Sequence, residues 1–173
     1  MGSLNTVKRV PLAIKVIAWL RDNEVDASLH IYGRFGNDQT VIARTIRELG
    51  LGRHVTLYGE IPPREKNKIY RHHNCYIQLS AHEGMAMSVV EAMQQGMLCV
   101  VTPVGEIPNY AHEGVSAIMM HVENGVICEH SLQNLLDTLN DGERCMAISS
   151  AAHRRFKGAA VFADSLVKTI LIS

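Results

Sequence analysis

Two carboxylates eight positions apart, Glu83 and Glu91, are the residues best suited to chemistry in this chain of 173 residues. They lie in the stretch 80–96, SAHEGMAMSVVEAMQQG, which reads as a loop running into a helix. A carboxylate accepts hydrogen bonds from two neighbouring hydroxyls, as at the ribose of dinucleotide sites. A helix start offers unpaired backbone N–H groups to a diphosphate. On this reading Glu83 stands at a strand end and Glu91 about two turns into the helix. A second reading fits equally well: Ser88-Val89-Val90-Glu91 matches the capping box S-x-x-E, which would make Glu91 a helix-start residue and Glu83 an exposed loop carboxylate. Spacing alone leaves the two balanced.

Other reactive types offer less. The nine histidines include no H-E-x-x-H, and His82-Glu83 and His112-Glu113 lack helical ligand spacing, so no metal site is expected. Cys75, Cys99, Cys128 and Cys145 form no C-x-x-C pair. Cys75 and Cys99 fall in apolar runs and are expected as reduced core thiols, which suits a cytoplasmic setting. Neither Ser80 nor Ser88 has the G-x-S-x-G context of a nucleophilic elbow. Gly33 and Gly36 form a G-x-x-G turn, short of the dinucleotide fingerprint, with Asp38 as a plain helix N-cap the favoured reading.

The elements that must position these groups alternate. A helix is expected from Pro11, a strand over 27–32 ending at Gly33, and a helix to Leu49 stopped by Gly50. Next come a strand over 54–58, a helix from Pro62-Pro63 to Tyr70, and a strand over 75–79. After the opening stretch, LCVVT at 98–102 reads as a strand buried on both faces. A short helix at 107–112, a last strand at 116–122 and helix beyond Ser131 complete the pattern. Strand, turn and helix repeated about five times predict an α/β fold, a Rossmann-like parallel sheet flanked by helices. The loops at Gly33, Gly59, Ser80 and Pro103 should share the carboxyl rim, where ligands of such sheets bind.

Apolar residues make up 47% and charged residues 20%, as in a globular domain, and the net charge of zero argues against a nucleic-acid partner. No apolar run reaches the roughly 20 residues of a membrane span. The opening Met1-Gly2-Ser3 is read as a cloning remnant, although the first six residues also match the myristoylation pattern.

With those blocks in view, the chain resembles the C-terminal half of a retaining glycosyltransferase of family 4, one half of a two-domain GT-B fold. The likeness spans residues 8–139 and rests on the order of blocks: Gly33 to Gly36, Val55 to Gly59, S-x-x-E-G-x6-E-A-M-x-x-G from Ser80 to Gly96, and V-V-T-P-x-G-E-I-P from Val100 to Pro108. The resemblance implies that residues 1–173 are a donor domain for a nucleotide-diphosphate sugar, UDP-linked, without a metal cofactor. The N-terminal acceptor domain would be absent. Glu83, the catalytic candidate, would face the sugar and Glu91 the ribose. Gly84, Met85, Ala86, Met87 and Ser88 would face the diphosphate and sugar. Gly33 and Arg34 would line the nucleotide side, Ile61 would border the base, and Lys8 or Arg9 would neutralise the diphosphate.

Several features depart from the family pattern: Met85 replaces an aromatic, Ala86 a glycine, Ser116-Ala117 stands where a glycine is common in the later turn, and the strand that should carry an arginine looks absent or cut. The implied acceptor is a glycan or lipid-linked sugar in surface-polysaccharide synthesis. The implied location is cytoplasmic, with peripheral membrane contact in the full enzyme. A fragment of this kind would bind donor but not complete transfer. The alternative is a Rossmann-like module that binds a nucleotide without catalysis.

Overall fold

The structure is a computed structural model that describes residues 2–36 and 38–158. The predicted helix to the chain's end therefore lies partly outside the described residues. Within them the chain alternates as expected. β1 (Gly2–Leu4) leads to α1 (Val10–Asp22), β2 (Leu29–Phe35), α2 (Gln39–Glu48), β3 (Val55–Gly59) and α3 (Lys66–Tyr70). β4 (Cys75–Gln78), α4 (Met87–Gln94), β5 (Leu98–Val101), α5 (Ile107–Tyr110) and β6 (Ile118–Met119) follow. A hairpin, β7 (Val122–Glu123) and β8 (Val126–Ile127), precedes α6 (Glu129–Asn140) and α7 (Gly142–Phe156).

The fold is α/β with parallel strands, in two three-stranded groups rather than one sheet. One group has the order β1-β2-β3, the other β4-β5-β6. α1 buries Leu12, Ala13, Ile14, Val16, Ile17 and Leu20 and leaves Lys15 exposed, the amphipathic division that its spacing predicts. β5 shows why a central parallel strand reads as an unbroken apolar run. Its Leu98 and Val100 enter the core under α1 and α6, while Cys99 and Val101 enter a second core against α4, α5 and α7.

Several boundaries differ from expectation. β2 does not end at Gly33 but runs to Phe35, because Gly2, Ser3 and Leu4 pair with Gly33, Arg34 and Phe35 as a parallel neighbour. The opening residues, read as a remnant, thus supply a short first strand. The helix after Pro62 is a 3-10 turn, Pro63–Glu65, before α3. The last predicted strand shrinks to Ile118–Met119, since Asn124 and Gly125 take positive φ (50° and 78°) and turn the following residues into the hairpin. Cys99 is buried as expected, whereas Cys75 is exposed.

Candidate functional site

The stretch 80–96 leaves β4 at the carboxyl end of the second strand group, and local bonds fix its path. Thr102 Oγ1 donates to the Ser80 carbonyl at 2.7 Å. The Ala81 N–H donates to the Val7 carbonyl at 2.7 Å, which holds this loop against the segment leading into α1. The Glu106 N–H donates to the Gly84 carbonyl at 3.1 Å. Its neighbour Gly105 has φ +58°, and a Cβ there would collide with the carbonyl oxygens of Glu83 and Gly84. Gly105 is therefore required twice over, by its dihedral and by the closeness of the Glu83–Gly84 backbone. Tyr110, on α5, donates its hydroxyl to the Met85 carbonyl at 2.9 Å.

The start of α4 tests the capping-box reading of Glu91. α4 starts at Met87, and its N-cap is Ala86, held at φ 49° with no side-chain cap. Ser88 is already inside the helix, so the capping-box reading fails. Glu91 lies on the second turn, and its carboxylate accepts from Lys66 Nζ at 3.0 and 3.2 Å and from the Tyr70 hydroxyl at 3.1 Å. Burial, then the neighbouring Tyr76 and Glu91, push the Tyr70 phenol well above its usual range, so it stays a donor.

Glu83 is held in a parallel manner. Its Oε1 accepts from Lys8 Nζ at 2.5 Å and from Gln78 Nε2 at 2.8 Å. Gln78 is buried in β4 and accepts in turn from the Tyr76 hydroxyl at 2.6 Å. Each carboxylate thus carries one lysine and one neutral donor. Both ion pairs are partly exposed, with side-chain exposures of 29% and 10% for Lys8 and Glu83 and 26% and 25% for Lys66 and Glu91. Between them the first turn of α4 presents backbone N–H groups and the positive end of its dipole.

The expected residues divide. Lys8 and Glu83 are brought into contact across 75 positions of sequence, and Gly84 to Ser88 connect Glu83 to α4. Met85 and Met87 are exposed; Ala86 is half-buried. Arg9 is half-buried, with its backbone left-handed at the start of α1. Arg34 is exposed near the end of β2, Gly33 is buried beside β1, and Ile61 is half-buried after β3. Among the described residues no hydrogen bond or ion pair ties these three to either carboxylate. Lys66, Tyr70, Gln78 and Gly105 escaped the sequence reading. Gln78 left a trace there, as the polar member of an apolar strand; Lys66 and Tyr70 left none. No group of three or more His, Cys, Asp or Glu able to hold a metal occurs among the described residues. No helix among them is long and apolar enough to cross a membrane.

Comparison with known proteins bears on the family and the fold. The family described as glycosyl transferases group 1 matches residues 1–155. A D-inositol 3-phosphate glycosyltransferase of Corynebacterium aurimucosum is 26% identical over 157 residues, which is 88% of this chain and 37% of that protein. Among solved structures, S. aureus TarM in complex with fondaparinux, alpha-GlcNAc-glycerol and UDP superposes with TM-score 0.79 at 20% identity, over 98% of this chain and 34% of TarM. Anabaena HepE in complex with UDP gives 0.77 at 18%, over 99% of this chain and 48% of HepE. The C-terminal domain of the group 1 glycosyl transferase LpcC from Francisella tularensis gives 0.76 at 17%, over 92% of this chain and 83% of that domain. These structural likenesses carry the fold, a GT-B type, of which this chain spans about one domain. The chain covers roughly a third of the curated relative's length.

Proposed function

The chain belongs to the group 1 glycosyl transferases, and from that premise we propose that it is the donor-binding half of a retaining enzyme that takes a UDP-linked sugar. The observation that carries this reading is the pair of lysine-held carboxylates on either side of the α4 start. Glu91 meets the ribose hydroxyls. Glu83, with Lys8 beside it, meets the sugar where it joins the diphosphate. The N–H groups of the first α4 turn and the Lys8 ammonium stabilise the negative charge that grows on the departing diphosphate, and their fixed geometry makes that stabilisation effective. Arg9, Gly33, Arg34 and Ile61 extend the pocket toward the nucleotide. The nucleotide binding seen in relatives supports this assignment, since TarM and HepE were both solved with UDP. The sugar passes to a glycan or lipid-linked acceptor held by a second domain, in cytoplasmic synthesis of surface polysaccharide. This chemistry needs no metal.

Calorimetry with UDP and a panel of UDP-sugars tests the assignment. Glu91→Ala should weaken UDP itself at least tenfold, the scale of a charge-assisted hydrogen bond. Glu83→Ala should spare UDP and weaken only the UDP-sugars. Unchanged binding in both variants would sink the proposal.

A second reading is favoured by one fact, the share of its relatives that this chain spans. Alone, it would bind the nucleotide without turning it over. Turnover measured with and without a complementary acceptor domain separates the two.

A further inference from the structure

Lys66 and Tyr70 limit how Glu91 can be used. They lie four positions apart on α3, so both side chains leave the same face of that short helix. The chain reaches α3 through Pro62, at φ −59°, and Pro63, two residues whose rings stiffen the approach from β3. Both side chains then meet one carboxylate, that of Glu91 on the second turn of α4. Tyr70 is almost wholly buried, whereas Lys66 and Glu91 stay partly exposed.

Counting hydrogen-bond sites shows what the pair leaves for a ligand. A carboxylate offers about four acceptor sites, two on each oxygen, and an ammonium has three donors. Glu91 Oε2 accepts from Lys66 Nζ at 3.0 Å and from the Tyr70 hydroxyl at 3.1 Å, which fills it. Oε1 accepts only from Lys66 Nζ, at 3.2 Å, among the described residues. One acceptor site on Oε1 is therefore open. Lys66 spends at most two N–H groups on these oxygens, and among the described residues no other protein acceptor meets it. One donor is open beside one acceptor. Such a pair suits a vicinal diol whose hydroxyls act differently, one donating to Oε1 and the other accepting from Nζ, since a hydroxyl can do either.

Resting on the donor-site reading above, we propose that Lys66 is itself a nucleotide contact: it donates to one ribose hydroxyl while Glu91 Oε1 accepts from the other. Lys66 and Glu91 then tell the two hydroxyls apart. Tyr70 is a positioning residue, which fills Oε2 and leaves the carboxylate a single open site. The ammonium also offsets the Glu91 charge, which would otherwise oppose the diphosphate of the same ligand. A lysine that only held Glu91 in place would act on both hydroxyls alike, and that contrast supplies the test.

Calorimetry compares UDP, 2′-deoxy-UDP and 3′-deoxy-UDP on the unaltered chain and on Lys66→Met. On the unaltered chain each deoxy nucleotide should bind about tenfold or more weakly than UDP, the scale of one charge-assisted hydrogen bond. In Lys66→Met one of the two penalties should vanish and the other persist. Two unchanged penalties would mean that Lys66 touches neither hydroxyl. Two penalties reduced together would mean that it acts only through Glu91. Either result overturns the proposal and leaves the donor reading standing. No UDP binding by the unaltered chain, or binding indifferent to both hydroxyls, defeats the ribose role of Glu91 and this inference with it. If Lys66→Met fails to fold or binds UDP too weakly to compare, Lys66→Gln replaces it, with a neutral donor of shorter reach. One penalty should then shrink while the other holds, and equal behaviour of the two overturns the proposal.

Discussion

The two halves of the molecule are built to different standards of packing. In the β4-β5-β6 half every residue of β5 and β6 is buried, and the strands feed two cores, one on each face. In the β1-β2-β3 half, β3 alternates between buried and more open positions; a cavity between β2 and β4 is lined by both halves. Glu83 and Glu91 both belong to the segment between β4 and β5. The looser half contributes Lys8, which reaches across to Glu83. The difference shows that the Lys8–Glu83 pair joins two strand groups of unlike burial.

The largest expected effect strikes the clamp that joins the site to the β4-β5-β6 half. Gly105→Ala forces a left-handed backbone on a residue with a side chain and drives its Cβ into the Glu83–Gly84 backbone. It should cost about 3 kcal/mol or more in urea denaturation and abolish UDP binding in whatever fraction still folds. A small loss would mean that this contact does not hold the Glu83 turn.

The packing contrast comes next. Ile118→Ala, in β6, empties a fully buried position and should cost ~2–5 kcal/mol. Leu57→Ala, in the half-buried middle of β3, should cost less than about half as much. Equal losses would erase the distinction between the halves.

A smaller effect, of opposite sign, is expected at Ser80. Its hydroxyl is fully buried with no hydrogen-bond partner among the described residues, although its carbonyl is well bonded. Ser80→Ala removes that unsatisfied group and should be neutral or stabilising by up to ~1 kcal/mol. Marked destabilisation would reveal a partner for the hydroxyl.

The smallest effect belongs to the looser half and depends on pH. Burial first, and the facing His73 second, hold the His30 imidazole below its ordinary value. A histidine lowered in the folded state binds fewer protons there than when unfolded, so stability rises with pH across that interval. The contribution is complete above about pH 6.5, the unfolded value, and is lost as pH falls through the lower folded value. Thermal melts from pH 7.5 down to 5.5 should show a decline that His30→Gln flattens. An identical slope in the variant would assign the titration elsewhere.

How much of this was legible beforehand follows from which interactions are local. α1 and β5 could be read because their burial is written in spacing: one apolar stripe in the helix, one unbroken apolar run in the strand. Asn124-Gly125 was an equally local hairpin signal, but the sequence reading ended its last strand at Val122 and assigned no hairpin beyond it. The β2 boundary could not be read. Gly33 looks like a terminator in sequence, and only pairing with Gly2 keeps the backbone extended through it. The E-x7-E spacing singled out two carboxylates that the structure finds each held by a lysine, but local pattern favoured neither the cap nor the ligand role for Glu91.

The sequence by itself determined the α/β alternation and the two-faced central strand, and it singled out the two acids, because each depends on residues close together in the chain. Tertiary structure alone decided what those acids hold. Lys8 lies 75 positions from Glu83, and Lys66 lies 25 from Glu91. No periodicity encodes a pairing at such separations. It arises when parallel strands bring their carboxyl ends to one rim and Gly105, lacking a Cβ, lets the Glu83–Gly84 backbone pass close against it.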